Sequence, residues 1–217
     1  MRFLITAGPT REPIDPVRYL SNRSSGKMAY AVAEAALKAG HEVSVISGPV
    51  SLEAPSSARL VRVSTSDQMY EAVHEHLWRC DVLVMCAAVA DYKPVKASPF
   101  KIKKGAAALI LELVPTRDIL ASLPSEGRNY LVVGFAAETN ELEENALKKL
   151  RDKHCDMIVA NDVSRVDSGM ESDENEVTIF FRNGEQHKIP RALKRNVARE
   201  LVKIIGETQE KCLTKKM

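Results

Sequence analysis

The chain has 217 residues, of which 45% are hydrophobic and 28% are charged, and its formal net charge is +2. This is the composition of an ordinary globular protein with a sizeable core, and the small positive excess does not indicate a nucleic-acid-binding surface. No apolar run is long enough to span a membrane, and the N-terminus lacks the layout of a signal peptide. We therefore expect a cytoplasmic protein with neither nucleic acid nor membrane as a partner. The four cysteines are scattered without a C-x-x-C pair, which favours reduced thiols over a disulfide framework or a zinc site.

Short β-branched runs alternate with helical segments from the N-terminus onward. The predicted strands are residues 2–6, 43–47, 60–63, 82–86, 109–114, 131–135 and 157–160. The predicted helices are residues 26–39, 67–79, 117–122 and 141–153. Continuous apolar strands that alternate with helices indicate a parallel sheet covered on both faces. The predicted fold class is therefore α/β, doubly wound and Rossmann-like with a mostly parallel sheet, and we expect residues 1–217 to form a single domain.

Local signals predict several element ends. Thr65 with Gln68 forms a capping box at the start of the second helix, and Asn140 with Glu143 resembles another. Gly40 suits the C-terminal end of the first helix.

After residue 161 the pattern changes. Residues 176–181 and 186–189 flank Asn183-Gly184, which predicts a β-hairpin with a type I′ turn. A last amphipathic helix is predicted over residues 191–205.

The sequence S-N-R-S-S-G-K-M at residues 21–28 resembles the end of a phosphate-binding P-loop. A P-loop needs a glycine five residues before the Gly-Lys pair and a serine or threonine after it. The chain has Ser21 and Met28 at those positions, which excludes the standard P-loop. The start of a helix still attracts anions, because its N–H groups are free and its dipole is positive there.

Polar side chains support an anion or acyl-group site at this helix start. Ser24, Ser25 and the Gly26 amide offer hydrogen-bond donors, and Arg18 and Arg23 add charge. Simple capping by one of the two serines is the alternative. Capping alone does not require two arginines and a long, proline-containing approach, so we favour the anion site.

The connections after the first and fourth strands are longer than the usual two to six or so residues. In doubly wound sheets, ligands bind outside the carboxyl ends of the strands, where these connections begin. The loop after the fourth strand contains Lys93, Lys96, Lys101, Lys103 and Lys104. A solvated or RNA-facing patch is the alternative, but no RNA-binding aromatic motif accompanies these lysines. We expect a lid over a polyphosphate, whose charge the lysines would neutralise.

The five histidines fall outside the loops that follow the strands, and no nucleophilic triad or carboxylate pair is apparent. This favours chemistry by positioning and electrostatics, as in phosphoryl or nucleotidyl transfer.

Six motifs occur in the order seen in one enzyme family: TAGPTREPIDPVRYLSNRSSGKM, SGPV, CAAVADY, KIKK, GFAAETN and ANDVS. Over about Thr6 to Phe180 the chain resembles the bacterial phosphopantothenate–cysteine ligases. The resemblance implies that CTP activates 4′-phosphopantothenate as an acyl-cytidylate, from which L-cysteine displaces CMP. It also implies Mg²⁺, because the nucleotide is a triphosphate. Many relatives are fused to a decarboxylase, whereas Met1 directly precedes the first strand here, so we expect a free-standing ligase and a separate decarboxylase.

The resemblance also implies residue roles. Asn22 would hold the acyl-cytidylate for attack by cysteine, and Lys101 would stabilise charge in the first step. The implied substrate-binding residues are Arg18, Asn22, Ser24, Ser25, Gly26 and Ala88. The implied nucleotide-binding residues are Ala87, Asp91, Lys101, Arg117, Asp118, Ile119, Leu120, Phe135, Lys149 and Lys153. The resemblance further implies a homodimer in which each site is completed partly by the other protomer.

Two positions depart from the pattern of the resembled family. Ala29 stands where many relatives have glycine, which should change little because alanine is small and favours helix. Arg117 stands where many have proline, and its side chain would either contact a phosphate or project into solvent.

Two other functions remain as alternatives. An NAD(P)-dependent oxidoreductase would share the fold, but it should show G-x-G-x-x-G after the first strand, and only Gly8 precedes Gly26. The oxidoreductase pattern Tyr-x-x-x-Lys occurs at residues 92–96, but Pro94 blocks the helix that it needs. The second alternative is a regulatory module that binds a nucleotide without turnover.

Overall fold

A computed structural model describes residues 1–105, 108–162 and 172–214. Its strands are β1 (Arg2–Ala7), β2 (Arg11–Pro13), β3 (Tyr19–Ser21), β4 (Glu42–Ser47), β5 (Arg59–Arg62), β6 (Val82–Met85), β7 (Tyr92–Pro94), β8 (Leu113–Pro115), β9 (Leu131–Glu138), β10 (Met157–Asp162), β11 (Glu174–Phe181) and β12 (Gln186–Leu193). Its helices are α1 (Lys27–Lys38), α2 (Ser66–His76), α3 (Leu142–Asp152) and α4 (Lys194–Thr214), and a short 3₁₀ helix, Leu77–Arg79, follows α2.

Eight strands form the main sheet, in the order β12-β11-β10-β9-β6-β1-β4-β5. Neighbours from β10 to β5 run parallel, and β11 and β12 are antiparallel. The parallel part has the strand order of a doubly wound dinucleotide-binding fold, and its direction of winding reverses between β1 and β6. The predicted α/β class, mostly parallel sheet and C-terminal hairpin are confirmed.

The sheet is buried on both faces, which explains why its strands are almost continuously apolar. Helices α1 and α4 pack on one face, where Phe3 and Ile5 of β1 point. Helices α2 and α3 pack on the other face with Leu4. Each fully buried side chain of this size contributes about 1.5–3 kcal/mol through removal of apolar surface from water. The two packed faces fix the carboxyl edge of the sheet, where the long loops emerge.

Two small antiparallel pairs, β2–β3 and β7–β8, lie outside the main sheet. The prediction of a strand over residues 109–114 is wrong in extent and partner, because only Leu113–Pro115 is extended and it pairs with Tyr92–Pro94. The apolar run resembles a buried strand, yet Leu109 and Ile110 are exposed. The sequence pattern shows correctly that this run is hydrophobic, but it does not show whether other residues of the chain cover it.

The predicted helix over residues 117–122 is also wrong, since only turns occur there. Asp118 Oδ1 accepts the Ala121 N–H at 2.9 Å, which closes one isolated turn. So short a segment cannot offset the cost of helix nucleation. The last helix begins at Lys194 rather than residue 191 because β12 extends to Leu193.

The local signals had mixed outcomes. The capping box of Thr65 and Gln68 is confirmed, and Gly40 has the left-handed φ of 81° that suits a helix end. The second predicted box is wrong, because α3 is preceded by Glu141 in a left-handed conformation without a side-chain cap.

The predicted type I′ turn is wrong as well. That turn needs positive φ at both central residues, but only Gly184 has it, at 88°. The Gly184 N–H donates to Phe181 O at 3.0 Å, which describes a type I turn followed by a glycine bulge.

Candidate active site

A cavity of about 800 Å³ opens at the carboxyl edge of the sheet, beside the point where the winding reverses. Its walls come from the start of α1, the segments after β6 and β8, the end of β9 and one face of α3. The residues of the sequence prediction that line it are Asn22, Ser24, Gly26, Ala87, Ala88, Asp91, Arg117, Asp118, Ile119, Leu120, Phe135, Lys149 and Lys153. Among the described residues, the predicted site members outside this lining are Arg18, Ser25 and Lys101.

Asn22 is held at the cavity by the segment that follows β6. Its Nδ2 donates to Ala88 O at 2.9 Å, and the same carbonyl accepts the Thr10 N–H at 3.2 Å. The amide group is therefore fixed against two neighbouring strand-end segments. An amide oriented in this way can bind a polar intermediate without first losing side-chain freedom.

Two buried threonines, which sequence reasoning missed, support this segment. Thr6 Oγ1 accepts the Ala87 N–H at 3.2 Å, and Thr10 Oγ1 accepts the Ala90 N–H at 3.0 Å. Both threonines are fully buried, so their hydroxyls hold the backbone of residues 87–90 in place beside the cavity. Their position, with Thr6 in the first strand and Thr10 shortly after it, was the only available signal.

Glycines allow the loops at this edge to approach one another. Gly26 precedes α1 with a φ of 78°, and a Cβ there would lie 2.9 Å from Val50 Cγ1. A Cβ on Gly48 would lie 1.9 Å from Pro9 O, so only glycine fits at this position of the SGPV motif. The N-cap residue of α1 is Gly26 itself, and Ser24 Oγ accepts the Gly26 N–H at 3.3 Å, which is the kind of contact that the capping alternative predicts for Ser24.

Lys149 lies in the last turn of α3, Lys153 follows the helix directly, and both line the cavity. Lys149 Nζ donates to Phe135 O at 2.7 Å, and Lys153 Nζ donates to Asp118 Oδ2 at 2.6 Å. Burial is the largest single influence and would raise the pKa of Asp118. The hydrogen bonds from Lys153 and from the Ala121 N–H, together with the charges of Lys153 and Lys149, outweigh it, so the pKa is lowered. Asp118 is therefore an anion that holds a cation in the cavity.

The segment before Asp118 is tied to its surroundings on both sides. Thr116 donates from its N–H to Asp91 O at 2.9 Å and from Oγ1 to Ala90 O at 2.6 Å. Arg117 lines the cavity, and its side chain is 45% exposed but is ion-paired rather than free. Its guanidinium binds α2, where the closest carboxylate contacts are Glu71 Oε1 at 3.1 Å and Asp67 Oδ1 at 3.2 Å.

Arg18 and the Lys101 segment are joined away from the cavity by a buried carboxylate, Asp15. Arg18 donates to Asp15 Oδ2 through Nη2 at 2.5 Å, and the Ile102 N–H donates to the same oxygen at 3.1 Å. Arg18 Nη2 also donates to Ile102 O at 2.8 Å. Sequence reasoning missed Asp15, although its place in an I-D-P turn was a signal. Lys101 itself is exposed.

Not all five lysines of the loop belong to the expected lid over a polyphosphate, because Lys93 forms an ion pair with Asp67 of α2. Other cavity residues were not predicted at all. They include Lys27, Cys86, Asn161, Asn175 and Lys194. Burial raises the pKa of the Cys86 thiol to about 12, so it is no thiolate nucleophile.

The described residues contain no cluster of three or more His, Cys, Asp or Glu side chains suited to a metal ion. The carboxylates that line the cavity are Asp91 and Asp118. No helix in the described ranges has the length and apolar character needed to cross a membrane. The last two residues of the ANDVS motif lie outside the described residues.

Comparison with known proteins places this chain in a family. Residues 1–208 match the family described as the DNA/pantothenate metabolism flavoprotein C-terminal domain. The Coenzyme A biosynthesis bifunctional protein CoaBC of Bacillus subtilis (strain 168) is 45% identical over 204 residues, which cover 94% of this chain and 50% of that protein. The chain thus spans about half the length of the curated relatives that it matches.

Solved structures agree with this match. The crystal structure of the C-terminal domain of Coenzyme A biosynthesis bifunctional protein CoaBC has a TM-score of 0.83 and 44% identity, covering 97% of this chain and 96% of that one. A Cab2 mutant in complex with phosphopantothenate-cysteine has a TM-score of 0.81 at 17% identity, covering 99% of this chain and 88% of that one. The latter likeness concerns the fold alone.

Proposed function

The chain belongs to the family of the DNA/pantothenate metabolism flavoprotein C-terminal domain, and on that premise we propose that it joins 4′-phosphopantothenate to L-cysteine with CTP in coenzyme A biosynthesis. The observation that carries the proposal is the composition of this cavity. It combines Asn22 and the Ala87–Ala88 backbone on one side with Lys149, Lys153 and the segment around Asp118 on the other.

The proposed reaction has two displacement steps. A carboxylate oxygen of phosphopantothenate attacks the α-phosphorus of CTP, and the bond to pyrophosphate breaks. The amine of cysteine then attacks the acyl carbon, the bond to CMP breaks, and the amine loses a proton as the amide forms. Neither step needs a nucleophilic side chain, so positioning and charge stabilisation are what the protein must supply.

The cavity residues suit these two tasks. Lys149 and Lys153 place two ammonium groups where phosphate charge can be neutralised. Asn22, oriented by Ala88 O, would hold the acyl-cytidylate while cysteine approaches. Lys101 would stabilise the charge of the departing pyrophosphate when the segment that carries this lysine lies against a cavity.

A magnesium ion would arrive with the triphosphate, because Mg²⁺ is commonly held by one or two carboxylates together with substrate phosphates. The cavity suits this way of binding Mg²⁺, because few carboxylates line it. One of them, Asp118, is already paired with Lys153. We assign Asp91 as the residue that would hold the ion, which would neutralise charge on the phosphates.

A homodimer is part of the proposal. The two small strand pairs and their loops expose an apolar surface, here called the hairpin patch, made of Val17, Tyr19, Tyr92, Val95, Phe100, Leu109, Ile110 and Leu113. Exposed apolar surface of this kind is typical of an interface. The same region carries Arg18 and Lys101, which do not line the cavity of their own chain. A second copy seated on the hairpin patch would bring these cations to the partner's cavity.

A product assay tests the proposed function. The protein is incubated with phosphopantothenate, Mg²⁺ and either CTP or ATP, with and without cysteine. We expect the amide, CMP and pyrophosphate to appear together with CTP and cysteine. Equal activity with ATP would contradict the CTP preference but not the ligation. Tight nucleotide binding without turnover would favour the regulatory module instead.

The remaining parts of the sequence prediction are retained as proposals. A single domain is supported by the pairing of elements from both ends of the described chain in one sheet. Cytoplasmic location and a separate decarboxylase acting on the product stay predictions. The oxidoreductase alternative is weakened, because residues 92–94 form a strand where its Tyr-x-x-x-Lys pattern needs a helix.

A further inference from the structure

Two lysines that the proposed mechanism does not use line the cavity from the sheet face opposite α3. Lys27 is the first residue of α1 and Lys194 is the first residue of α4. Helices α1 and α4 pack together on one face of the sheet, whereas Lys149 and Lys153 come from α3 on the other face. The cavity therefore receives one pair of ammonium groups from each side of the sheet edge.

The positions of these two lysines oppose ordinary helix preferences. A cation at the first residue of a helix meets the positive end of the dipole, which is unfavourable, and at Lys27 the ion pair of Nζ with Asp173 Oδ1 at 2.6 Å offsets part of this cost. Lys194 is in addition only 6% exposed, and its Nζ donates to the neutral carbonyl of Ser172 at 2.6 Å. Burial, and next the charge of Lys27, lower the pKa of Lys194. Residues that break local rules are expected at functional sites.

Asn175 stands beside Lys194 and faces the start of α1. Its Cα pairs with Ala192 across the β11–β12 ladder, and the Lys194 N–H donates to Asp173 O at 2.9 Å. The ladder has a bulge directly after Asn175, and bulges commonly redirect a side chain toward a site.

The side-chain amide of Asn175 is only weakly bonded. The residue is 3% exposed, and its Oδ1 accepts the Glu176 N–H at 3.1 Å. Within the part of the chain that the structure describes, its Nδ2 reaches only Met28 Sδ, at 3.9 Å. A thioether is a weak acceptor, and a buried amide donor without a good partner is costly. The amide group is thus suited to donate to a ligand.

We propose that Lys27, Lys194 and Asn175 form a second phosphate subsite, distinct from Lys149 and Lys153. Both ammonium groups have only donors, and the Asn175 acceptor already receives the Glu176 N–H, so the lining matches an oxyanion. The subsite rests on the proposed function, which supplies two sources of phosphate. These are the phosphomonoester of the acid substrate and the polyphosphate of the nucleotide.

Calorimetric titration with four probes tests the subsite. The probes are 4′-phosphopantothenate, pantothenate, CTP and cytidine, so that each phosphate-bearing compound has a partner without phosphate. Lys194→Met should weaken binding of one phosphate-bearing probe by about 10- to 100-fold, the range expected for a lost hydrogen bond to a charged group. The probe that weakens identifies the source, and pantothenate and cytidine should bind as they do to the wild type.

Matched variants keep the test decisive. Lys203→Met removes a 77% exposed lysine from the same helix and should change nothing. Asn175→Asp preserves shape but replaces the donor with a negative charge, so it should weaken the same probe even if Lys194→Met does not fold. Normal binding of all four probes by both subsite variants would overturn the proposal, as would wild-type binding that does not depend on phosphate. Failure of the proposed function would instead appear as absent amide formation by a wild type that still binds CTP more tightly than cytidine.

Discussion

Single side chains at the site differ in how firmly they are held. Asn22 is fixed by Ala88 O at 2.9 Å, and Lys153 is fixed by Asp118 at 2.6 Å. Lys101, by contrast, is exposed and does not line the cavity of its own chain. Asn22 and Lys153 would therefore orient ligands, whereas Lys101 would add charge only when its segment contacts a ligand.

Replacement of Lys101 by glutamine should abolish charge stabilisation while leaving the fold intact. We expect pyrophosphate release to fall by about 10²-fold or more, as for other preorganised charge contacts. The melting temperature should not change, because the side chain is exposed. Lys203→Gln, at a 77% exposed lysine of α4 outside the loop of lysines, is the control and should be nearly neutral. Equal rates for both variants would remove Lys101 from the site.

At the scale of elements, the turn between β2 and β3 positions the lysine segment. Asp15 accepts hydrogen bonds from the Val17 N–H at 2.8 Å and from the Ile102 N–H at 3.1 Å, so one carboxylate joins the turn to the segment. The hydrogen bond from Arg18 holds the pKa of Asp15 well below its usual range. The joint is therefore ionised over the whole physiological range.

Asp15→Asn should loosen this joint and weaken activity in the same step as Lys101→Gln. The effect on stability has a defined pH dependence. Because the pKa of Asp15 is lowered by folding, its contribution is fully present above the ordinary carboxyl pKa of about 4 and is lost as pH falls through the lower folded value. Urea unfolding should show a constant difference between wild type and variant from about pH 5 to 8, which shrinks below about pH 4. A difference that grows in acid would contradict the assignment.

Elements were predictable from sequence where their determinants are local. Thr65 and Gln68 are three residues apart, so their capping box could be identified from spacing alone. Asp15 and Ile102 are 87 residues apart, and no local pattern connects them. Asn175 is positioned at the cavity only by the pairing of β11 with β12 and by its contact with Met28 at the start of α1. Family motifs indicated most of the cavity lining, but not these long-range contacts.

At the scale of the whole molecule, the hairpin patch should be covered by a second copy. Ile110 is 89% exposed, so Ile110→Asp has little to disturb within its own chain. We expect sedimentation equilibrium to show a dimer for the wild type and a monomer for the variant. Trp78→Asp is the control, since Trp78 is 68% exposed outside the hairpin patch. A wild-type monomer, or a dimer unaffected by Ile110→Asp, would contradict this interface.

Mixing two inactive variants shows whether the partner supplies Lys101. Equal amounts of the Asn22→Asp and Lys101→Gln variants are mixed so that their subunits exchange, and amide formation is then measured. If Lys101 acts in the partner's cavity, half of the dimers contain one intact site, and activity returns to about a quarter of the wild-type value. If each chain uses its own Lys101, every site keeps one defect and no activity returns.

The central claim is that the cavity makes an acyl-cytidylate and passes it to cysteine. The most direct measurement is a single-turnover reaction of Asn22→Asp with phosphopantothenate and CTP, quenched and analysed by mass spectrometry. We predict stoichiometric pyrophosphate and an accumulated acyl-cytidylate, which added cysteine converts to the amide much more slowly than in the wild type. Amide formation at the wild-type rate would remove Asn22 from its proposed role. CTP consumed without any acyl-cytidylate in either protein would contradict the mechanism itself.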